Sequence, residues 1–197
     1  MSAGSWGHFY AGAGGVDYFL RHLSIHAEFL KQILSRRPRK ILEAGCGSAI
    51  MSTFFSMAGL EVVACDRDEG VLAKAAQISR EWNARVRFVK QDLLDLSFAP
   101  DEFDASFSQG VLEHMGDADI RTVGAALLKV SPTFIFSVPS VYYRHKDFGD
   151  ERLLTKEAWE KILAPVGHFQ ARYYYEERVK RNFLLKRPLM ILGVLTR

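Results

Sequence analysis

From Lys40 the chain reads Lys-Ile-Leu-Glu-Ala-Gly-Cys-Gly. A short apolar run that breaks into two closely spaced glycines, then into a helical pattern through about Ala58, is a buried strand delivered into a tight turn and a helix. Such a strand needs cover on both faces, which commits the chain to a layered α/β architecture. The rhythm then repeats. Leu60 to Cys65 is a β-branched run closed by Asp66. Residues 69–82 carry Val71, Leu72, Ala75, Ala76, Ile78 and Trp82 at helical spacing, and Val86 to Lys90 alternates as a third strand. Phe103 to Ser108, Ile120 to Val130 and Thr133 to Val138 continue as strand, helix and strand.

Two further runs, His168 to Tyr175 and Leu189 to Thr196, have strand character and are expected to pair antiparallel at one sheet edge. The prediction is a Rossmann-like, doubly wound α/β fold: a mostly parallel seven-stranded sheet with an antiparallel C-terminal edge strand and helices on both faces. Before it, Val16, Phe19, Leu20, Leu23, Ala27, Leu30 and Leu34 predict one amphipathic helix from 16 to about 35. A second stripe, Tyr18, His22, Ile25 and Phe29, faces either a ligand or a neighbouring element, with packing the plainer reading. After Pro139 comes a polar aromatic loop, then a helix over 155–164 with Thr155 as N-cap.

The 197 residues, 48% hydrophobic and 25% charged, suit one soluble domain able to bury roughly 70% of its unfolded surface without disulfides or metals. Within 1–197 the expected parts are an N-terminal lid and helix (1–35), a ligand-binding core (36–138) and a substrate-side region (139–197). No apolar run approaches the ~20 residues needed to cross a bilayer. No secretory signal is visible in Met1 to Gly15, so a cytoplasmic location is expected. Cys46 and Cys65 belong to no metal-ligand spacing, and no metal is expected. A net charge of +3 is too mild to announce a nucleic-acid binder, although Arg36, Arg37, Arg39 and Lys40 form one basic knot and Arg178, Lys180, Arg181, Lys186 and Arg187 another.

In a doubly wound sheet, ligands bind beyond the C-terminal ends of the strands. Gly45 and Gly47 allow a sharp bend and close approach of a ligand to the backbone, whereas a dinucleotide fingerprint would need a third glycine where Ile50 stands. Asp66 follows Gly45 by 21 residues, a separation that brings a carboxylate beside the first turn to accept from ribose hydroxyls. The alternative for Asp66 is a helix cap. Gln91-Asp92-Leu93 puts an acid and an N–H where a purine edge can be read.

ILEAGCGSA, VVACDRDEGVL, VKQDLLDLSFAPDEFDASFSQGVLEHM and FGDERLLTKEAWEKIL follow one another as the motifs of class I S-adenosylmethionine-dependent methyltransferases do, and the chain resembles that family over about residues 36 to 175. The resemblance implies S-adenosyl-L-methionine as methyl donor and S-adenosyl-L-homocysteine as product. It implies that Glu43 organises the glycine turn, that Gly45 and Gly47 pass the methionine part, and that Asp66 binds the ribose with Arg67 beside the adenine. It further implies that Asp92 accepts from the adenine amino group, that the Leu93 N–H donates to the ring, and that Gln109 lies near the amino-acid end. Ala49 stands where the family often has a third glycine. Ser108-Gln109-Gly110 replaces the Asn-Pro-Pro-Tyr type of motif, which argues against methylation of a nucleobase amine.

His114, just after the fourth strand, is the candidate catalytic base, since an imidazole can take a proton as the methyl arrives. Glu113 beside it reads as solvated or as a cap. His22 and His26 have the spacing of a metal pair but no third ligand. Tyr142, Tyr143, Arg144 and His145 suggest a small planar or anionic acceptor, and Trp6, Phe9 and Tyr10 a lid over the site. The expected activity is methyl transfer to a small molecule. A catalytically silent partner subunit and an RNA methyltransferase using the basic patches are the alternatives.

Overall fold

Residues 16–34 do not form one helix. In the computed structural model, which describes residues 13–144, 149–178 and 186–197, they fold as α1 (Val16–Ile25) and α2 (Ala27–Leu34), with His26 between them at φ −100° and ψ 18°. His26 is buried and its Nδ1 lies 2.7 Å from the Tyr174 hydroxyl, so the break is tethered to a strand far along the chain. Local periodicity carries no trace of such a tether. The backbone bonds His26 N to His22 O (3.2 Å) and Leu30 N to His26 O (2.9 Å) carry the helical phase across it. The buried face is Phe19, Phe29, Leu30 and Ile33, while Val16 and Leu20 face outward.

The sheet is built from β1 (Lys40–Ala44), β2 (Glu61–Asp66), β3 (Val86–Lys90), β4 (Ala105–Gln109), β5 (Thr133–Pro139), β6 (His168–Arg178) and β7 (Lys186–Thr196). Between them lie α3 (Ile50–Met57), α4 (Glu69–Glu81), a 3-10 turn (Leu112–His114), α5 (Asp117–Val130) and α6 (Lys156–Leu163). Thr155 caps α6 as predicted, accepting from Ala158 N at 3.3 Å. The strand order is β3-β2-β1-β4-β5-β7-β6. β1 to β5 pair in parallel, and β7 is antiparallel to both β5 and β6. The antiparallel C-terminal strand therefore sits one place in from the edge. β6 crosses over through α6 to leave a gap beside β5, and β7 returns to fill it.

Alternation along β1 divides the core between the two faces. Ile41 packs with Phe29, Ile33, Met51 and Phe55, whereas Leu42 and Ala44 pack with Ile120, Val123, Leu127 and Trp159. Burying each such side chain contributes roughly 1.5–3 kcal/mol. The order reverses between β1 and β4, which opens a crevice above their C-terminal ends. Trp6, Phe9, Tyr10, His145, Lys180 and Arg181 lie outside the described residues. Among the described residues, no helix is long and apolar enough to cross a membrane.

Candidate active site

The turn leaving β1 is fastened to its neighbour: Gly45 N and Cys46 N both donate to Cys65 O at 2.9 Å. Gly45 has φ +72°, and a Cβ there would stand 2.7 Å from Val111 Cγ2, so only glycine fits. Ala49 enters α3 at φ +53°, a left-handed conformation in which the glycine of the related motif would be unstrained.

Above this turn the crevice has two lobes that meet at Gly110 and His114. The first, about 570 Å³, is lined by Gly45, Gly47, Asp66, Arg67, Asp92 and Leu93, so the structure gathers these predicted residues in one place. Capping does not occupy Asp66. The cap of α4 is Asp68, which accepts from Gly70 N (2.8 Å) and Val71 N (3.1 Å). Asp66 accepts from Gly47 N (3.2 Å) and Asp68 N (3.1 Å), one bond per oxygen, and each carboxylate oxygen has a second lone pair for a ligand. Asp92 accepts from Leu94 N at 3.0 Å, a turn that fixes the carboxylate at the lobe.

The second lobe, about 450 Å³, holds Glu43 and Gln109, which stand apart from the other predicted residues. Glu43 is buried and accepts from Ser52 N at 3.2 Å, tying the end of β1 to the first turn of α3. Burial pushes its pKa up to about 8, against the Ser52 hydrogen bond and with a smaller push from the Asp66 charge. Glu113 is neither solvated nor a cap. The 3-10 turn folds it inward, its Oε2 is buried without a partner, and burial, reinforced by Glu151 and Asp150, pushes its pKa up to about 8. Nothing in the sequence distinguishes Glu113 from a surface acid.

His114 lines both lobes, and its Nδ1 lies 2.8 Å from Asp150 Oδ1. His114, Asp150 and Glu151 bring oxygen and nitrogen atoms within 4.8 Å of one another, a grouping not foreseen in the sequence. His22 and His26 do not form a metal pair. Gln109 lies between them, its Oε1 2.8 Å from His22 Nε2 and its Nε2 3.0 Å from His26 Nε2. Burial lowers both imidazoles, His26 to about 3 with a smaller contribution from His22. The second stripe of α1 does face the lobe through Tyr18, His22 and Ile25, while Phe29 packs in the core. From the loop after β5, Tyr143 lines the lobe and Arg144 points to solvent. Burial raises the thiol of Cys46 well above its usual range and that of Cys65 to about 12, so neither is a nucleophile.

A doubly wound sheet with β7 inserted antiparallel, a glycine turn after β1 and acids closing β2 and following β3, defines a class I methyltransferase fold. Residues 41–131 match the family model described as methyltransferase domain. A ubiquinone biosynthesis O-methyltransferase from Azorhizobium caulinodans is 26% identical over 160 residues, 76% of this chain and 62% of that enzyme. A Synechococcus protein described as uncharacterized is 33% identical over 106 residues, 52% of this chain and 25% of that protein. The chain thus spans less than two thirds of these relatives. Magnesium protoporphyrin IX methyltransferase from Synechocystis, solved with bound S-adenosylhomocysteine, shares the fold at 18% identity, with a TM-score of 0.69 over 98% of this chain and 93% of that one.

Proposed function

We propose that this chain transfers a methyl group from S-adenosylmethionine to an oxygen atom of a small molecule. The observation that carries the reading is the pair of lobes meeting at Gly110 and His114, one built from the Gly45–Gly47 turn, Asp66 and Asp92, the other from aromatic and aliphatic side chains together with Glu43, Gln109 and Glu113. The residues suit a nucleoside donor: an acid with lone pairs to spare, a turn with no room for a Cβ at Gly45, and a buried carboxyl oxygen, Glu113 Oε2, with no partner. Oxygen as the acceptor atom is supported by the name of the Azorhizobium relative.

When bound, the donor supplies a methyl group activated by a sulfonium. Asp66 would accept from the ribose hydroxyls, Arg67, Asp92 and the Leu93 N–H would meet the adenine, and Gly45, Gly47, Glu43 and Gln109 would surround the amino-acid part. Holding donor and acceptor in line contributes about 7–11 kcal/mol in favourable cases, so positioning is the chain's main task. Asp150 fixes the ring of His114 through Nδ1, and His114 takes the acceptor's proton as the methyl arrives.

Calorimetric titration with S-adenosylmethionine, S-adenosylhomocysteine and NAD is expected to show binding of the first two alone. A screen for S-adenosylhomocysteine release over hydroxyl, amine and thiol acceptors then tests the reaction. A chain that binds the donor and turns over no acceptor on the panel contradicts the enzymatic reading. His114→Gln is expected to lower kcat on the order of 10²–10⁴-fold, and unchanged turnover across pH removes it as the base.

A further inference from the structure

One chain of hydrogen bonds runs under the second lobe, and of its members the mechanism above uses only Gln109. It runs from His22 through Gln109, His26 and Tyr174 to Ser137. An amide oxygen accepts and an amide nitrogen donates, so with Gln109 oriented as it is, the polarity of the links through both histidines follows. Gln109 Oε1 accepts from His22 Nε2, which therefore carries the proton. Gln109 Nε2 donates to His26 Nε2, which therefore presents a lone pair. His26 then donates through Nδ1 to the Tyr174 hydroxyl, which shares a hydrogen bond with Ser137 Oγ. On His22, which lines the lobe, this leaves Nδ1 as a lone pair, on a ring stacked on Tyr18 with centroids 5.7 Å apart.

The lobe's charge restricts what meets that lone pair. Among the described residues no Lys or Arg lines it, and Glu43, Glu113 and Glu151 do. Among the described residues no cationic side chain there offers an anionic ligand a counter-charge. Ile25, Met51, Tyr143, Leu189 and Met190 supply apolar and aromatic surface instead.

We propose that His22 is a specificity-determining residue: its Nδ1 accepts a hydrogen bond from a hydroxyl or N–H of an uncharged, largely apolar acceptor, at a position other than the atom methylated. Gln109, His26, Tyr174 and Ser137 act as positioning residues that keep His22 in its Nε2–H form. The proposal rests on the methyl-transfer reading. A site built to accept a hydrogen bond penalises a ligand that lacks the donor, because its own polar atom is left unpaired.

The test separates the proposal from the reading beneath it. Wild-type chain is first titrated with S-adenosylhomocysteine, and failure to bind it overturns the methyl-transfer reading itself. The loaded protein is then titrated with three probes of one shape: 2-naphthol, the dihydroxynaphthalene isomers and 6-hydroxy-2-naphthoate. At least one dihydroxy isomer is expected to bind tenfold or more tighter than 2-naphthol, and the naphthoate no tighter than 2-naphthol. In His22→Phe, kept saturated with S-adenosylhomocysteine, the dihydroxy advantage is expected to vanish while the affinity for 2-naphthol changes less than twofold. Retention of the advantage in the variant, tighter binding of the naphthoate, or an equal loss of affinity for 2-naphthol overturns the proposal. Independently of any variant, long-range ¹H–¹⁵N spectra of the wild-type histidines are expected to show His22 as the Nε2–H and His26 as the Nδ1–H tautomer. The reverse assignment overturns it as well.

Discussion

At Gly45, backbone conformation and crowding point the same way. A methyl group added at φ +72° would be strained, and Val111 Cγ2 at 2.7 Å would have to move. Gly45→Ala is expected to lower stability by roughly 1–3 kcal/mol and to weaken binding of S-adenosylhomocysteine at least tenfold, measured by denaturant unfolding and calorimetry. Glu43 and Glu113 make a different kind of prediction. Both are held near pKa 8 in the fold against 4.5 for the ordinary carboxyl, so the native chain keeps protons that the unfolded chain releases. Their contribution is complete below pH 4.5 and is lost as pH rises toward 8. His26 has the opposite sign: held near 3 against 6.5, it contributes above pH 6.5 and its contribution is lost as pH falls. Between pH 6.5 and 8 the carboxyls dominate the slope as the opposing contribution of His22 and His26 fades, so the unfolding free energy should fall with rising pH, approaching about 1.4 kcal/mol per unit for each proton withheld. Glu43→Gln and Glu113→Gln are each expected to flatten that slope, and chemical unfolding at a series of pH values measures it.

Among the elements, what could be read from the sequence divides by how locally each was encoded. The parallel strands were legible because burial on both faces makes them apolar runs, and the turns after them because glycine and aspartate mark the ends. Asp66 and Asp92 came together at one lobe as expected, since a strand end and a sheet order suffice to place them. The split at His26 was not legible, because Tyr174 acts from β6. Nor was the burial of Glu113, because a single acid after a strand looks like any surface acid until the turn folds it inward. The insertion of β7 beside β5 depends on a contact the strand's own alternation does not encode: Gly193 pairs with Phe136, and a Cβ there would meet the Phe136 ring at 2.4 Å. That ring stacks on Phe169 with centroids 5.8 Å apart and lies against Trp159, so it cannot retreat freely. Gly193→Ala is expected to cost about 1–3 kcal/mol in thermal or denaturant unfolding, with little change in affinity for S-adenosylhomocysteine.

For the molecule as a whole, the reversal of strand order creates one crevice, and the two glutamates of raised pKa fall in the lobe where the amino-acid end of the donor and the acceptor are expected. Substrate and product of the proposed reaction differ there by one charge, the sulfonium. A cation near a neutral carboxyl favours its ionisation, so the sulfonium form should release protons on binding where the product does not. The direction follows. As pH rises from 6.5 to 8.5 the carboxylates become available, and the affinity for S-adenosylmethionine should gain on that for S-adenosylhomocysteine. At an effective dielectric near 20 and a separation of a few ångströms, the gain is on the order of tenfold. Titratable groups common to both ligands cancel in the ratio, which leaves the chain's own carboxyls as the source. Competition titrations across that pH range measure the ratio, and calorimetry in buffers of different ionisation enthalpy counts the protons. A ratio that stays flat in the wild type means that Glu43 and Glu113 do not sense the sulfonium, whereas a slope abolished in the Glu43→Gln, Glu113→Gln double variant locates the sensor in this lobe.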